Sequence, residues 1–533
     1  MELKELIAAL TWPRAYPFAV DQVEVRQTHI SVVFLAGPWA YKIKKPVAFS
    51  FVDFSTLEKR RYYCERELVL NRRLAPQVYR GVVPIAETEH GLELEESGPV
   101  VEWAVKMVRL PDQATLEWQV QHGAVEPTIL TRLAERIARF HAEAERSPEI
   151  ARYARAEAIA QLCRDNLQVG QQQIGRTISE LVWHRLQELY EITLEKLRPR
   201  LDERVAQGIP CDTHGDMRLE HIYLFPDKSP PEDIAIIDCV EFNDSFRYAD
   251  PVADMAFVVM DLLYEGRADL ARVFADSYFD TSGNVAGREL LSWYVSYRAA
   301  VRGKVRSLLA DEPEVPPDSR QRACAEARRY WMLAWQVLEH PDRRPILILV
   351  GGLPGVGKSS LAKALAERCH AVWLRSDTVR KELAGLFPTV SAEAKFRQGI
   401  YTPDWTQRTY AELLARAESL LSAGRRVVVD ATFVQEQHRQ QFLELAWRWA
   451  VPAVFLLCQA DPAVVRERLR QRHGDVSDAN WAIYEELART WQALSPATER
   501  QTRILRTDGE LAPVVAAALQ VVQQTLDRAW LAA

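Results

Sequence analysis

The 533-residue sequence predicts an α+β domain followed by an α/β domain built on a doubly wound parallel sheet. Two observations support this prediction. In the first third of the chain, short apolar runs separated by turns give way to helical periodicity, which is typical of strands followed by helices. From residue 346 onward, short apolar strands alternate with helices, as in a parallel sheet covered by helices. The length also exceeds one ordinary hydrophobic core, so at least two domains are expected.

Composition and charge narrow the classes of protein to consider. The chain is 48% hydrophobic and 26% charged with a net charge of −6, the balance of a soluble globular protein. Overall basicity does not favour a nucleic-acid partner, although a local basic groove stays open. The seven dispersed cysteines form no C-x-x-C pair and predict reduced thiols in a cytoplasmic protein. The N-terminus has no signal-peptide pattern and no apolar run approaches about 18 residues, so no membrane contact is expected.

Changes of pattern along the chain predict four segments. Residues 1–110 would form a strand-rich lobe and residues 111–338 a mainly helical lobe. Residues 339–345, EHPDRRP, are predicted to be a linker because they are short, polar and rich in proline. Residues 346–533 would form the α/β domain, since a fresh strand begins directly after the linker.

Apolar periodicity predicts the individual elements. Strands are expected within 23–47, 78–85 and 100–110, and a helix at 55–76 with Ser55 as its N-cap. Further helices are predicted at 129–146, 178–201, 359–369, 391–399, 403–423, 435–449 and 462–472, and further strands at 346–350, 372–377, 425–433 and 453–458.

The segment GGLPGVGKSS, residues 351–360, carries the most specific motif of the chain. It matches G-x-x-x-x-G-K-[ST] between an apolar strand and a helix, the context of a phosphate-binding loop (P-loop). Glycines let backbone N–H groups turn toward a phosphate, the lysine reaches the β- and γ-phosphates, and the serine hydroxyl binds Mg²⁺. The helix N-terminus adds a favourable dipole. We therefore expect an ATP and Mg²⁺ site formed by Gly352, Gly355, Val356, Gly357, Lys358, Ser359 and Ser360.

Acidic residues follow the next two strands of this domain. Asp377 would lie in the crevice beside the P-loop and orient an acceptor hydroxyl. Arg380, three residues on, would lie on the same helical face and bind the substrate. A plain N-cap at Ser376 or Asp377 is the structural alternative. Asp430 ends VVVD and is predicted to hold Mg²⁺ or its water shell, with substrate contact by Asp430 or Thr432 as the alternative.

Two arginines follow in the segment at residues 461–479. The D-x-x-R spacing of Asp377 and Arg380 resembles that of polynucleotide 5′-kinases, zeta-toxin-like kinases and small-metabolite P-loop kinases, and this segment resembles the lid-bearing helix of such kinases. The resemblance implies that Arg468 and Arg472 contact adenine or clamp phosphates. Positions on a solvated helix face are the alternative for both arginines.

A second chemical stretch lies in the first half of the chain. THGDMRLEHIYLF, residues 213–225, is followed by IIDCVEF at residues 236–242. Phosphoryl transfer needs one carboxylate to orient the attacking hydroxyl and another to bind Mg²⁺. Asp216 is suited to the first role and Asp238 to the second.

These stretches resemble the catalytic segment of the aminoglycoside phosphotransferase family, which has the two-lobed protein-kinase-like fold. The resemblance implies that Lys42 contacts phosphates and that Glu67 pairs with this lysine. Lys44 and Lys45 compete for the lysine role, and Glu65 competes for the glutamate role.

Two features depart from that family. It usually has an asparagine metal ligand five residues after the catalytic aspartate, where this chain has His221. Mg²⁺ prefers oxygen ligands, so Glu241 or Asn243 could substitute for His221. The turn at residues 27–31, which would cover the phosphates, contains no glycine. An active kinase and a degenerate lobe that binds or regulates therefore both stay open.

Three more residues match positions of the same family but are expected to be structural. Asp250 and Asp254, in ADPVADMAF, would cap or support a helix. His141, in ARFHAEA, would be a packed histidine with its hydrogen bonds satisfied.

Over nearly its full length, the chain resembles a fused family with an aminoglycoside-phosphotransferase-like domain before a P-loop kinase. This implies an α+β protein-kinase-like two-lobed domain, then the α/β P-loop domain, and two ATP sites that phosphorylate hydroxyls of small metabolites such as sugars or amino sugars. One alternative is a nucleotide or nucleic-acid 5′-hydroxyl kinase in the C-terminal domain. Another is an N-terminal lobe that only binds a ligand and regulates. The sequence predicts neither the acceptors nor the oligomeric state.

Overall fold

The computed structural model describes residues 2–49, 52–387, 399–471 and 480–529. It divides into two compact units. The first unit comprises Met1–Leu162 and Leu194–Val295, and the second comprises Cys163–Thr193 and Ser296–Ala533. This division differs from the four segments expected from sequence, and those segment bounds stay predictions.

The first 338 residues contain strands and helices with the following bounds. The strands are β1 (Val23–Gln27), β2 (Ser31–Ala36), β3 (Trp39–Lys44), β4 (Ala48–Phe49), β5 (Val52–Asp53), β6 (Tyr79–Thr88), β7 (Gly91–Leu94), β8 (Val100–Val108), β9 (Cys211–Asp212), β10 (Ile222–Leu224), β11 (Ile234–Ile236) and β12 (Tyr248–Ala249). The α-helices are α1 (Leu3–Leu10), α2 (Leu57–Asn71), α3 (Leu116–Gln121), α4 (Pro127–Glu143), α5 (Pro148–Arg152), α6 (Ala156–Gln172), α7 (Glu180–Ala206), α8 (Pro251–Tyr264), α9 (Ala268–Ser282), α10 (Leu291–Asp311) and α11 (Pro317–Leu338).

The remaining residues alternate strands and helices, as the sequence predicts. The strands are β13 (Leu347–Gly351), β14 (Val372–Arg375), β15 (Val427–Asp430), β16 (Ala453–Gln459) and β17 (Thr502–Arg506). The α-helices are α12 (Lys358–Arg368), α13 (Ser376–Leu383), α14 (Pro403–Ser422), α15 (Glu436–Arg448), α16 (Pro462–Gln471), α17 (Trp481–Arg489), α18 (Pro496–Gln501) and α19 (Leu511–Ala529). The helix predicted at 391–399 falls almost wholly outside the described residues.

An antiparallel sheet organises the start of the first unit. Within the described residues it has six strands in the order β1-β2-β3-β8-β6-β7. Alternating side chains fill both faces: Phe34 and Ile43 pack against α1, while Val105 and Met107 pack with Cys64 of α2. This packing fixes the position of α2 against the sheet. It brings Glu67 of α2 next to the lysines of β3.

The N-cap of α2 differs from the predicted one. Thr56, and not Ser55, precedes the helix, and its side chain accepts a hydrogen bond from the Lys59 N–H at 3.3 Å. Ser55 instead donates its hydroxyl to Asp53 at 2.5 Å. The hydroxyl groups of Ser55 and Thr56 are both of a type that caps helices. The conformation of the turn before α2 decides which of them reaches the unpaired N–H groups of the first helical turn.

Two short antiparallel strand pairs and a buried helix carry the second chemical stretch. β9 pairs with β12 and β10 pairs with β11, both antiparallel. Asp250 caps α8 by accepting from the Val252 N–H at 2.9 Å, and Pro251 occupies the first turn. All residues of α8 are buried, so the helix supports the segments that lie against it.

The second unit contains a parallel sheet with the order β14-β15-β13-β16-β17, five strands in the part of the chain that the structure describes. β13 is buried on both faces, as parallel strands between helices are. The chain order reverses around β13, so the P-loop that follows this strand lies in the crevice at the carboxyl ends. β17 and α19 were not predicted from sequence. Among the described helices, none is both long and apolar enough to cross a membrane.

Candidate active sites

The P-loop of the second unit joins β13 to α12 through three glycines with positive φ. Gly352, Gly355 and Gly357 have φ angles of 139°, 80° and 94°. A Cβ atom on Gly352 would lie 2.6 Å from the Cys458 carbonyl oxygen, so the loop has no room for a side chain there. Helix α12 begins at Lys358, directly after the loop, and its first N–H groups face the crevice where a phosphate would bind.

Asp430, at the end of β15, is a buried carboxylate beside this loop. Its side chain is 1% exposed. Burial raises its pKa above the usual value, while the Lys358 charge and a hydrogen bond from Ser359 oppose this rise. Its Oδ2 atom has no hydrogen-bond partner within the described residues, and the Arg375 Nε lies 3.8 Å away. A buried carboxylate oxygen without a hydrogen bond is suited to a cation or its water shell.

Asp377 and Arg380 both lie on α13, immediately after β14. Asp377 is in the first helical turn and half-buried. Arg380 is buried: its Nη1 donates to the Ile400 carbonyl at 3.0 Å, and its guanidinium lies 5.2 Å from the Tyr401 ring centre. Burial lowers the pKa of Arg380 below its usual value, and Asp377 opposes the shift. A cation held in such a low-dielectric position attracts anionic or hydroxyl-rich groups strongly.

Arg468, on α16, reaches the P-loop from the other side. Its Nη2 donates to the Thr507 carbonyl at 2.7 Å. Its Nη1 is buried without a hydrogen-bond partner in the described chain and lies 3.7 Å from the point where a Cβ on Gly357 would be. One side of the guanidinium is thus held, and the other is directed at the loop. Arg472 lies outside the described residues, so its role stays a prediction.

In the first unit, Lys42 on β3 bridges two carboxylates. Its Nζ lies 2.6 Å from Asp238 Oδ1 and 2.9 Å from Glu67 Oε1. Lys42 loses solvation, but Asp238 and then Glu67 raise its pKa well above the usual value. Desolvation also opposes the charge of Asp238, but Lys42 and then His221 lower its pKa. Lys42 and Asp238 are therefore both charged at neutral pH.

Lys44, two residues further along β3, forms a second ion cluster behind the first. It is fully buried and bonds to Glu67 and to Glu241. Residues two apart on a strand share a face, which explains why both lysines reach the same glutamate. Burial raises the pKa of Glu241, and Lys44 opposes that rise. Glu241 thus has a lysine partner, and its suggested role as a substitute metal ligand stays a prediction.

The competing assignments in this lobe separate by position. Glu65 is exposed and bonds to Arg61 at 2.9 Å, away from both lysines. Lys45 is half-buried and takes no part in the Glu67 cluster. The Asn243 side chain accepts from the Ser245 N–H at 3.1 Å and caps a short 3₁₀ helix. These contacts give Glu65 and Asn243 structural partners.

The backbone of the loop His214–Asp216 is held by hydrogen bonds to Asp254 of α8. The Asp254 carboxylate accepts from the His214 N–H at 3.0 Å and from the Gly215 N–H at 2.9 Å. Burial disfavours its charge, but the hydrogen bond from His141 and the other contacts set its pKa at about 2. Gly215 has a φ of 86°, which only glycine adopts readily. Asp254 therefore orients the backbone that carries Asp216.

His221 lies between the two predicted catalytic aspartates. Its Nδ1 lies 2.9 Å from the Asp216 carbonyl oxygen, and its Nε2 lies 3.7 Å from Asp238 Oδ2. A carbonyl oxygen only accepts, so Nδ1 donates to Asp216 and Nε2 is the ring nitrogen that faces Asp238. Across the described ranges, no group of three or more His, Cys, Asp or Glu side chains is arranged to hold a metal ion. A metal at either site would need substrate or water oxygens as further ligands.

The residues expected to be structural have the contacts of structural residues. Asp250 caps α8 and accepts from Arg204 Nε at 2.6 Å. His141 is buried between Tyr278 and Asp254, with its two ring nitrogens 2.8 Å and 3.1 Å from their oxygens. Sequence reasoning missed that Asp254 holds the His214–Gly215 backbone. An aspartate on an almost wholly apolar helix was the available signal, since such a carboxylate needs buried donors.

A P-loop after the central strand of a parallel sheet defines a nucleotide-binding domain. The family model described as AAA domain matches residues 347–494. The chain is 34% identical over 466 residues to the uncharacterized protein Rv2004c of Mycobacterium tuberculosis, covering 87% of this chain and 89% of that protein. The same figures hold for the uncharacterized protein Mb2027c of Mycobacterium bovis. The chain belongs to the family of these mycobacterial proteins.

Solved structures of kinases are also similar to parts of the chain. A gluconokinase from Sinorhizobium meliloti 1021 is 21% identical, covers 34% of this chain and 94% of its own, and has a TM-score of 0.25. A choline/ethanolamine kinase family protein from Mesorhizobium loti is 14% identical, covers 63% of this chain and 99% of its own, and has a TM-score of 0.35.

Proposed function

We propose that this chain is an ATP-dependent kinase with two ATP sites, each of which transfers a γ-phosphate to a hydroxyl group of a small metabolite. The observation that carries the proposal is the grouping of Lys358, Asp377 and Asp430 at the carboxyl ends of adjacent strands. That grouping brings together a phosphate-binding lysine, a carboxylate for the acceptor and a carboxylate for Mg²⁺.

In the second unit, each side chain has a distinct part in the transfer. Lys358 and the P-loop N–H groups bind the β- and γ-phosphates, and Asp377 orients the acceptor hydroxyl and accepts its proton. Arg380 holds the acceptor, because its Nε is buried without a hydrogen-bond partner in the described residues. Arg468 directs its Nη1 at the loop and stabilises the charge that develops on the transferred group.

The residues that would hold Mg²⁺ in the second unit are Ser359 and Asp430. The buried Asp430 Oδ2 fits this role, since a cation would satisfy it. Mg²⁺ commonly takes one or two protein oxygens and completes its shell with phosphates and water. When bound, the ion neutralises charge on the β- and γ-phosphates.

In the first unit, Asp216 takes the acceptor role and Asp238 the metal role. Lys42 is the phosphate-binding lysine because it contacts Asp238, whereas Lys44 is buried behind it. His221 Nε2 faces Asp238 and would lie beside the metal, but its nitrogen is a poorer match for Mg²⁺ than an oxygen ligand.

Sugars and amino sugars are the substrates we favour, because both sites offer carboxylates that can accept hydroxyl protons. The seven cysteines, all without disulfides in the described chain, agree with a reducing cytoplasmic location.

The test is transfer from γ-labelled ATP into a fractionated metabolite extract. The variants are Asp216→Asn for the first unit and Lys358→Ala for the second. The matched controls are Asp227→Asn and Lys363→Ala, which change exposed residues of the same type near each site in sequence. We expect each active-site variant to lose a different labelled product and each control to lose none.

Other outcomes would select an alternative. If only Lys358→Ala loses label, the first unit binds or regulates and the two-site claim is wrong. If the product lost is a 5′-phosphorylated nucleotide or oligonucleotide, the second unit is a nucleic-acid end kinase. If no variant loses any label, the chain is not a kinase of extract metabolites.

A further inference from the structure

The first unit holds a cavity that the proposed reaction does not use. Its volume is about 680 Å³, and residues of α4, α7, the start of α8 and the end of α9 line it. Clefts that bind small molecules enclose roughly 300–1,000 Å³, so a ligand of sugar or nucleotide size fits. Lys42, Asp216 and Asp238 are not among the described residues that line it. We call it the rear cavity.

Among the described residues, two of the arginines that line the rear cavity form ion pairs with carboxylates, and two do not. Arg139 is exposed and makes no hydrogen bond or ion pair within the described residues. Arg146 donates to the carbonyls of Ala142 at 3.2 Å, Ala144 at 2.8 Å and His141 at 2.5 Å, which orient the guanidinium without neutralising it. Two guanidinium groups seven residues apart in sequence therefore face one cavity without a carboxylate on either. Such a pair is suited to a phosphate group.

The other charges of the lining largely cancel. Arg200 pairs with Glu203, and Arg204 pairs with Asp250. Glu135 is the remaining acid of the described lining, and its carboxylate oxygens can accept hydrogen bonds from hydroxyl groups. A ligand with one phosphate and several hydroxyl groups matches this set, because hydroxyls donate to Glu135 while the phosphate accepts from the two arginines.

A single side chain, that of Asp254, connects the lining residue His141 to the catalytic loop His214–Asp216. His141 lines the cavity and is 3.1 Å from Asp254 Oδ2. Asp254 accepts from the N–H groups of His214 and Gly215, which precede Asp216. A ligand that shifts His141 changes the hydrogen bonds of Asp254 and hence the position of the loop.

A second contact connects the rear cavity to α8, the helix that carries Asp254. Arg204 lines the cavity and donates to Asp250, which caps α8, and to Asn284 at 2.8 Å. Asp254 lies on the first turn of α8, so both contacts act on one element. The coupling therefore does not depend on His141 alone.

We propose that the rear cavity binds a small phosphorylated polyol through Arg139 and Arg146, and that the bound ligand acts on the catalytic loop through His141 and Asp254. Binding stands independently of the proposed kinase function, while any effect on phosphoryl transfer rests on that function. The site is distinct from the two ATP sites because its lining shares no residue with them.

The binding test is calorimetric titration of the full chain with glucose 6-phosphate, in saturating Mg²⁺ and a non-hydrolysable ATP analogue. Glucose is the uncharged matched probe. The variant is the double substitution Arg139→Ala with Arg146→Ala, and the control is Arg155→Ala, an exposed arginine outside the lining. Loss of two charge-assisted contacts should weaken glucose 6-phosphate binding at least about tenfold. Glucose should bind at least about tenfold more weakly than its phosphate.

The proposal is overturned if glucose 6-phosphate does not bind the wild type, if glucose binds equally well, or if the double variant binds like the wild type. The titration needs no turnover, so it fails or succeeds independently of kinase activity. The coupling test is amide hydrogen exchange of a peptide covering residues 213–218. We expect slower or faster exchange with glucose 6-phosphate in the wild type, and unchanged exchange would overturn the coupling.

Discussion

Lys42 Nζ lies 2.6 Å from Asp238 Oδ1, so the lysine expected to bind phosphate contacts the acid expected to bind Mg²⁺. Glu67 holds the same lysine at 2.9 Å. A Mg²⁺ ion at Asp238 would replace one partner of Lys42 and leave the other, which keeps the lysine on β3 in place for a phosphate. Desolvation opposes the charge of Glu67, but Lys42 and then the buried Lys44 lower its pKa, so Glu67 stays charged.

This arrangement predicts opposite consequences for the two lysines. Lys42→Met should abolish the first-unit product while lowering the free energy of unfolding little, because Glu67 retains Lys44. Lys44→Met should destabilise the chain by about 3–5 kcal/mol, since it leaves the buried Glu241 without its lysine and Glu67 with Lys42 alone. Urea unfolding monitored by tryptophan fluorescence, together with product assays, measures both effects.

Lys45→Met is the control, because this neighbouring lysine is half-buried and outside the cluster. It should change the free energy of unfolding by less than about 0.5 kcal/mol. If Lys44→Met is as stable as this control, the buried ion cluster is not what holds the glutamates.

The support of the catalytic loop by Asp254 predicts a loss of both stability and activity. Asp254→Asn replaces a charged acceptor of two backbone N–H groups by an amide that can accept at one oxygen. We expect a loss of about 2–4 kcal/mol in the free energy of unfolding and of the first-unit product. Asp276→Asn, an exposed residue of α9, is the control and should cost little.

The same pair of variants gives a pH test. The pKa of Asp254 is about 2 in the folded protein, below the value of about 3.9 for an unfolded aspartate. Its contribution to stability is therefore fully present above about pH 4 and is lost as the pH falls toward 2. The difference in unfolding free energy between wild type and Asp254→Asn should shrink by roughly 1 kcal/mol or more between pH 5 and pH 3. A constant difference would contradict the ionised state of Asp254.

The close packing around the P-loop predicts that nucleotide binding requires glycine, with no side chain, at position 352. Gly352→Ala would place a methyl group 2.6 Å from a backbone oxygen at a φ of 139°. We expect at least about a tenfold weaker binding of a fluorescent ATP analogue, because the loop must move. Gly509→Ala is the control, because it makes the same substitution where nothing in the described residues lies within 4 Å of the added Cβ. This variant should bind the analogue with wild-type affinity.

Arg468 predicts a specific loss of catalysis in the second unit. Arg468→Lys keeps the charge but cannot both donate to the Thr507 carbonyl and reach toward the loop. We expect kcat/KM of the second-unit reaction to fall at least about tenfold. Arg470→Lys, whose exposed arginine pairs with Glu467, should keep the wild-type value. Equal rates for the two variants would place Arg468 outside the reaction.

Much of the candidate site could be predicted because its motifs are local. The P-loop pattern and its flanking strand and helix lie within 23 consecutive residues, 346–368, and backbone geometry alone requires the glycines there. The positions of Asp377 and Asp430 follow from the rule that parallel strands end at one edge. The strand and helix alternation from residue 346 onward was predicted for the same reason, apart from α17, α18, β17 and α19.

Other features depended on contacts between residues far apart in the chain. Sequence could not choose between Lys42 and Lys44, because both lie on one face of β3, and only their distances to Asp238 and Glu241 separate them. Glu65 and Glu67 are both on α2, and the packing of that helix on the sheet decides which one turns inward.

The sequence by itself determined that this protein has a P-loop nucleotide site and a second set of carboxylates, since spacing and residue type suffice for both. Only the tertiary structure decided that Glu241 pairs with Lys44, that Asp254 carries the loop before Asp216, and that a charged cavity lies behind that loop. The physical reason is burial: a buried charge must find its partner in three dimensions, and that partner can lie anywhere in the chain.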